Sequence, residues 1–238
     1  MKAIILAAGT SKRMGSLTSN SPKCLLEIGD KTIIEHQIEC LMNSGIKDIV
    51  VVTGFCEDKL KKVCGNCVSY ISNSRFATTN SMYSLWLTRE VVQEGFVVLN
   101  SDVFFHPMIL EKLLKSHFPD ALTLCRLVKM GKEEMKVKIH SEKVIDISKD
   151  LSPSLADGEN LGIVKFSSKG AKVLFKKVNE IISQGIFDKW TPFAFQQIIS
   201  HYDLYAVDIS GLPWIEIDFL EDYEKAKKVI YPNIISHT

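Results

Sequence analysis

The chain has 238 residues, 46% of them hydrophobic, and a net charge of +1 from 29 basic and 28 acidic side chains. That is enough apolar material for one large α/β domain, and the balanced charge excludes a global basic field of the kind that binds nucleic acid or an anionic membrane surface. No apolar run approaches the roughly 18 residues of a membrane span, and MKAIILAAG has no signal-peptide cleavage pattern, so the expected location is the cytoplasm.

The run from Ala3 to Ala8 is continuously apolar and too short for a buried helix, which makes it an interior strand of a parallel sheet. Gly9 stops it, and a glycine there lets backbone N–H groups approach a ligand closely, as loops that hold phosphate do. Lys12 and Arg13 stand beside that turn as cations. The loop LAAGTSKRMG is neither a GxxxxGK[ST] nor a GxGxxG signature, which removes the nicotinamide-dependent oxidoreductase reading. Lys23 follows Pro22, leads into an expected short apolar strand, and is placed to reach the same anion.

Thr32 to Ser44 carries apolar residues at helical spacing and ends at Gly45. KDIVVVTG is a second buried strand, EDKLKKVC a short helix, CVSYIS a third strand and FVVLNSD, 96–102, a fourth. Helical patterns SMYSLWLTREVV and PMILEKLLKSH surround the last of these. The alternation predicts right-handed crossovers and a mostly parallel, Rossmann-like sheet flanked by helices. After Asp120 the segments DALTLCRLV, MKVKIH, KVIDIS and LGIVKFS read as strands with antiparallel pairing, a small β-rich subregion over 121–166. Helices over 168–184 and 192–201, strands LYAVDIS and WIEID, and a last helix from Leu220 to about Ile230 complete the pattern. No repeat or Pro/Gly-rich boundary interrupts it, so residues 1–238 are expected to form a single α/β domain. The six cysteines read as free thiols; Cys64 and Cys67 form a lone CxxC with no second half to complete a zinc site.

In open α/β sheets, ligands bind beyond the carboxyl ends of the strands, so acidic residues there carry weight. Asp102 follows FVVLNS, and Asp218 closes WIEID with Glu216 two residues earlier on the same strand face. Carboxylates from two strands near a phosphate-holding loop suit Mg²⁺, which takes one or two carboxylates and completes its shell with water and phosphate oxygens. Each aspartate alone reads equally well as a helix N-cap.

LAAGTSKRMG followed by SPKCLLEIGDKTIIEHQIECL resembles the sugar-phosphate nucleotidyltransferase family, in order and in spacing. ATTNSMYSLWL, NSDVFFHP, MKVKIHSEKVIDISKDL, DGENLGIVKF and PWIEIDFLEDYEKA are similar to the branch that makes cytidylyl conjugates of phosphocholine, 2-aminoethylphosphonate and inositol phosphate. The resemblance implies a glycosyltransferase-A-like nucleotidyltransferase fold and in-line attack of an acceptor phosphate or phosphonate oxygen on the α-phosphorus of CTP, with pyrophosphate leaving. It implies that Leu6, Ala7, Ala8 and Gly9 contact base and ribose, that Thr10 and Ser11 help wrap the triphosphate, and that Arg13 and Lys23 neutralise it. Asn80 and Ser84 would lie near the nucleotide, against a plain N-cap and an exposed hydroxyl. Asp102, Asp218 and Glu216 would hold Mg²⁺, and Lys149 would meet the acceptor phosphate.

For the rest of the acceptor site, Trp190 and Trp214 offer ring faces to an ammonium group, while Asp157, Glu159 and Asn160 offer polar groups to a sugar. A uridylyl- or guanylyltransferase for sugar 1-phosphates and a non-catalytic nucleotide-binding module both stay open, the second disfavoured by the presence of Lys23, Asp102 and Asp218 together. The expected partners are CTP and a small phosphorylated acceptor, with no nucleic acid and no membrane. A homodimer is left open, since these patterns do not specify an oligomeric state.

Overall fold

The computed structural model describes residues 1–236 apart from 11, 127–129 and 132. Its first strand, β1 (Lys2–Leu6), leads through a loop and a short 3₁₀ segment to the 3₁₀ turn Lys23–Leu25 and a small hairpin, β2 (Glu27–Ile28) and β3 (Lys31–Thr32). Lys23 therefore opens a helical turn, where the sequence pattern suggested a strand; Leu25 and Leu26 donate back to Pro22 and Lys23 and close it. Helix α1 (Ile33–Asn43) starts on a reciprocal cap in which the Thr32 hydroxyl accepts from Glu35 N–H and the Glu35 carboxylate accepts from Thr32 N–H.

There follow β4 (Ile49–Thr53), α2 (Glu57–Cys64), β5 (Ser69–Ser72), α3 (Ser81–Trp86), β6 (Phe96–Asn100), β7 (Val103–Phe105) and α4 (Pro107–Lys115). Helix α3 is shorter than its apolar pattern, because Thr88 is buried and turns its hydroxyl back onto the Leu85 carbonyl. The second half comprises β8 (Ala121–Cys125), β9 (Lys136–His140), β10 (Lys143–Ser148), β11 (Gly158–Phe166), α5 (Ser168–Ser183), α6 (Thr191–Ile198), β12 (Tyr205–Asp208), β13 (Trp214–Glu216), α7 (Leu220–Lys225) and α8 (Tyr231–Ile235). A π turn over Ala226–Ile230 joins the last two helices ahead of Pro232, which has no N–H to donate.

Among the described residues, nine strands share one sheet in the order β5-β4-β1-β6-β11-β8-β12-β10-β9. β5, β4, β1 and β6 are parallel, as the alternation of the first half predicts. The antiparallel pairing expected after Asp120 is present, but β8 and β11 are internal strands of the main sheet: β11 runs antiparallel between β6 and β8, and β12 pairs parallel to β8. Side chains of β1 alternate between two cores. Ile4 and Leu6 face the layer of α3, α5 and α6, while Ala3 and Ile5 face α1, α2 and α4. Each fully buried isoleucine of this kind stabilises the fold by about 1.5–3 kcal/mol. A third cluster, with Phe104, Ile215, Ile217 and Ile230, seats the β7–β13 ladder against the C-terminal helices, and so fixes the chain that carries Glu216 and Asp218.

Candidate active site

The carboxyl ends of β1 and β6 open into a cleft of about 1410 Å³ that runs across the sheet toward β10 and α6. Leu6, Ala7, Ala8, Gly9 and Thr10 form one wall; Ser11 lies outside the described residues. This wall is held by the neighbouring turn. Phe55 N–H donates to the Ala8 carbonyl at 3.2 Å, and a Cβ on Gly54 would come within 2.8 Å of that same oxygen, so only glycine lets the two loops meet.

Below that wall the predicted charges converge. Lys23 Nζ stands 2.9 Å from Asp102 Oδ2 and 2.8 Å from Asp218 Oδ1, and it also donates to the Ile217 carbonyl at 2.7 Å. Arg13 Nη2 reaches Asp218 Oδ1 at 2.8 Å. Burial works against the Lys23 ammonium, but Asp102 and Asp218 together outweigh it and hold its pKa above the usual lysine value. Glu216 is pushed up to about 8, first by burial and then by the charges of Asp102 and Asp218.

Asp102, Glu216 and Asp218 offer carboxylate oxygens that all lie within 4.8 Å of one another. Three hard oxygen donors held this close together fit a hard divalent cation. Neither aspartate caps a helix: α4 is capped by His106 and α7 begins after Phe219. β7 intervenes between Asp102 and α4, which frees the carboxylate for the cleft.

Asn80 and Ser84 both line the cleft. Asn80 caps α3 as well, its side chain accepting from Ser81 N–H, and Ser84 is buried, its hydroxyl accepting from Asn73 Nδ2 at 3.0 Å. At the far end Lys149 Nζ lies 4.9 Å from the centre of the Trp190 ring and 3.6 Å from Glu133 Oε2, and Glu133 is also 3.6 Å from Arg13. Two expected acceptor residues are elsewhere. Trp214 opens β13 at the end away from the carboxylates, opposite Phe105, and packs on the α1 and α4 face. Glu159 is buried beneath the cleft wall, cross-strand from Lys136 and outside the lining, with its carboxyl pushed up to about 7 by burial and by Glu134. Cys64 and Cys67 are free thiols apart from the site.

Sequence reasoning passed over Asn73, Asn100, Gln196 and Glu133, all of which line the cleft. Asn73 and Asn100 follow or end strands β5 and β6, so the strand-end rule that found Asp102 also points to them. Gln196 and Glu133 lie on a helix and a loop, and nothing local distinguishes them.

A mixed sheet whose parallel half ends in a glycine-stopped loop, facing two cations and three carboxylates that the β6–β7 turn and the end of β13 bring together, suits an enzyme that handles a nucleoside triphosphate, and the carboxylates fit a metal site. The comparisons agree. The chain belongs to the MobA-like NTP transferase family, whose domain matches residues 3–156, and it is a nucleotidyltransferase. It is 30% identical over 235 residues to a choline-phosphate cytidylyltransferase of Streptococcus pneumoniae, covering 97% of this chain and 98% of that protein. It is 25% identical to a CTP:phosphoglutamine cytidylyltransferase of Campylobacter jejuni over 94% of this chain and 98% of that one. The solved structure of the CTP:phosphocholine cytidylyltransferase from S. pneumoniae superposes with a TM-score of 0.78 at 27% identity, over 96% of this chain and 98% of that one. No helix of the described residues is long and apolar enough to cross a membrane.

Proposed function

We propose that this enzyme transfers a cytidylyl group from CTP to a small phosphorylated alcohol, amide or phosphonate, with release of pyrophosphate and with Mg²⁺ as its metal. The observation that carries the reading is the single cluster of Lys23, Arg13, Asp102, Glu216 and Asp218 at the sheet tips. The choline-phosphate and CTP:phosphoglutamine cytidylyltransferases it resembles over nearly their whole length support the choice of nucleotide and acceptor class, as does the local likeness to a CMP-5'-(3-aminopropyl)phosphonate synthase, of which it spans about a fifth.

The reaction asks the protein to bring two polyanions together and to stabilise charge on non-bridging and leaving oxygens. Leu6 to Thr10 hold the nucleotide through the backbone, while Arg13 and Lys23 face its phosphates. Lys149, at the other end of the cleft, neutralises the acceptor phosphate and orients one of its oxygens toward the α-phosphorus. Asp102, Asp218 and Glu216 would hold Mg²⁺, which when bound neutralises phosphate charge as a Lewis acid.

The test is a matrix of the four nucleoside triphosphates against phosphocholine, aminoethylphosphonate, inositol phosphate, a phosphorylated amide and several sugar 1-phosphates, read by pyrophosphate release with Mg²⁺ or with chelator. Turnover with CTP and a non-sugar acceptor, abolished by chelation, is the expected result. Preference for UTP or GTP with a sugar phosphate overturns the cytidylyl reading.

A further inference from the structure

Beneath the acceptor end of the cleft lies a lysine that faces no substrate. Lys136 opens β9 and is only 1% exposed. Its ammonium donates to the Lys149 carbonyl at 2.8 Å and to the Glu134 carbonyl at 3.3 Å. Its register partner on β11 is Glu159, the buried carboxyl described above. Lysine is almost never buried so completely unless its charge is answered. Here two carbonyl dipoles answer it, and an acid is its cross-strand register partner.

The place of those carbonyls gives the arrangement its meaning. Lys136 pairs with Ser148 at the end of the β9–β10 ladder. Beyond that pair the two segments part, and both go on to line the cleft, one with Glu133 and Met135, the other with Lys149 and Asp150. The Lys136 ammonium joins them at the fork. It holds the backbone of the residue whose side chain stands over Trp190 and beside Glu133.

We propose that Lys136 is a positioning residue for the acceptor half of the cleft: by tying the Lys149 and Glu134 carbonyls together it sets where the Lys149 ammonium stands against Trp190. The proposal rests on the reading that this half receives the phosphorylated acceptor. A group held from below by a buried tie keeps its geometry without its own side chain being consumed in the holding.

Lys136→Met and Lys136→Arg in the full chain test this in two ways. The first needs no substrate: the rate at which an N-hydroxysuccinimide ester acetylates Lys149, followed by peptide mass spectrometry with the exposed Lys172 and Lys225 as internal references. The Met variant should raise the Lys149 rate several-fold relative to the references, and the Arg variant should keep it near wild type. The second is kinetic, with whichever acceptor the wild type uses. In the Met variant the acceptor KM should rise about tenfold, as small displacements of a binding group do, while the nucleotide KM stays put and the Arg variant recovers.

An unchanged Lys149 rate in Lys136→Met overturns the proposal, and so does a parallel loss in kcat and both KM values, which is what general loosening produces. A wild-type enzyme that turns over no acceptor refutes the functional reading instead, and the acetylation comparison then decides the positioning alone. If Lys136→Met does not fold, the double variant Lys136→Met with Glu159→Gln removes both buried charges and takes its place.

Discussion

Lys23 Nζ lies 2.8 Å from Asp218 Oδ1 although 195 positions separate the two residues in the chain. The pair joins the loop after β1 to the strand end of β13, and Asp102 on the turn after β6 completes it. A site assembled from three distant segments is positioned by the whole sheet, so its residues can be removed one at a time without removing the scaffold.

Lys23→Met should therefore lower turnover by about a hundredfold or more, in line with the roughly 3 kcal/mol that a preorganised charge contributes to the transition state. Circular dichroism should stay that of the wild type. Asp102→Ala should show a similar loss and also weaken binding of Mn²⁺ measured by electron paramagnetic resonance. Pyrophosphate release near the wild-type rate in either variant removes that residue from the mechanism.

Glu159 predicts a pH dependence of stability. Its carboxyl sits near 7 in the fold against an ordinary 4.5, so between those values the native state holds more protons than the unfolded state, and stability falls as pH rises through the window. The span corresponds to about 3 kcal/mol at most. Urea unfolding at pH 5 and pH 8 should show this slope in the wild type and a flatter one in Glu159→Gln; equal slopes would dismiss the buried carboxyl as its source.

Gly162 has a positive φ of 80°, and a Cβ there would stand 2.3 Å from Asn100 Nδ2. Gly162→Ala is thus strained in its backbone and pushes Asn100 at the end of β6, two residues before Asp102. The expected outcome is a loss of about 1–3 kcal/mol in thermal unfolding together with reduced turnover. A variant as stable and active as the wild type shows that the β6–β11 contact yields freely.

Asn73 is buried and donates to both Thr79 Oγ1 and Ser84 Oγ at 3.0 Å, while accepting from Arg75 N–H. Asn73→Ala leaves those groups without this partner, which costs about 1–3 kcal/mol, and should loosen the turn that carries Asn80. Nucleotide affinity by calorimetry should fall more than acceptor affinity; a fall in acceptor affinity alone contradicts the placement of this wall on the nucleotide side.

Much of the site was legible before the structure because strand ends and glycine stops are local signals. Gly9, Asp102 and Asp218 sit just past apolar strand runs, and the rims of sheets are where such breaks gather, whereas Lys23, which opens a 3₁₀ turn, is singled out by its distance from the glycine loop. Trp214 shows the limit of that logic. Its polar and Pro-flanked neighbours suggest exposure, but which way a strand residue faces depends on its partner strand, and pairing with Phe105 turns it onto the α1 and α4 face.

Strand order was equally hidden. The segments 121–125 and 158–166 look like a separate antiparallel patch because sequence proximity says nothing of who lies beside β6. Lys136 and Glu159 illustrate a third kind of blindness. In an alternating strand a charged residue reads as solvent-facing, and only long-range packing reveals that both are buried.

The antiparallel insertion of β11 has a consequence for how this chain is made. While it emerges from the ribosome, β5, β4, β1 and β6 can assemble among themselves, but the outer side of β6, with Val97, Val98 and Leu99, has no mate until Phe166 has been synthesised. During that interval an apolar, flat edge is open to any strand in reach. Fragments ending between Asn100 and Phe166 should accordingly aggregate rather than persist as half-molecules, and in the cell this stretch of translation is where a chaperone has a surface to hold.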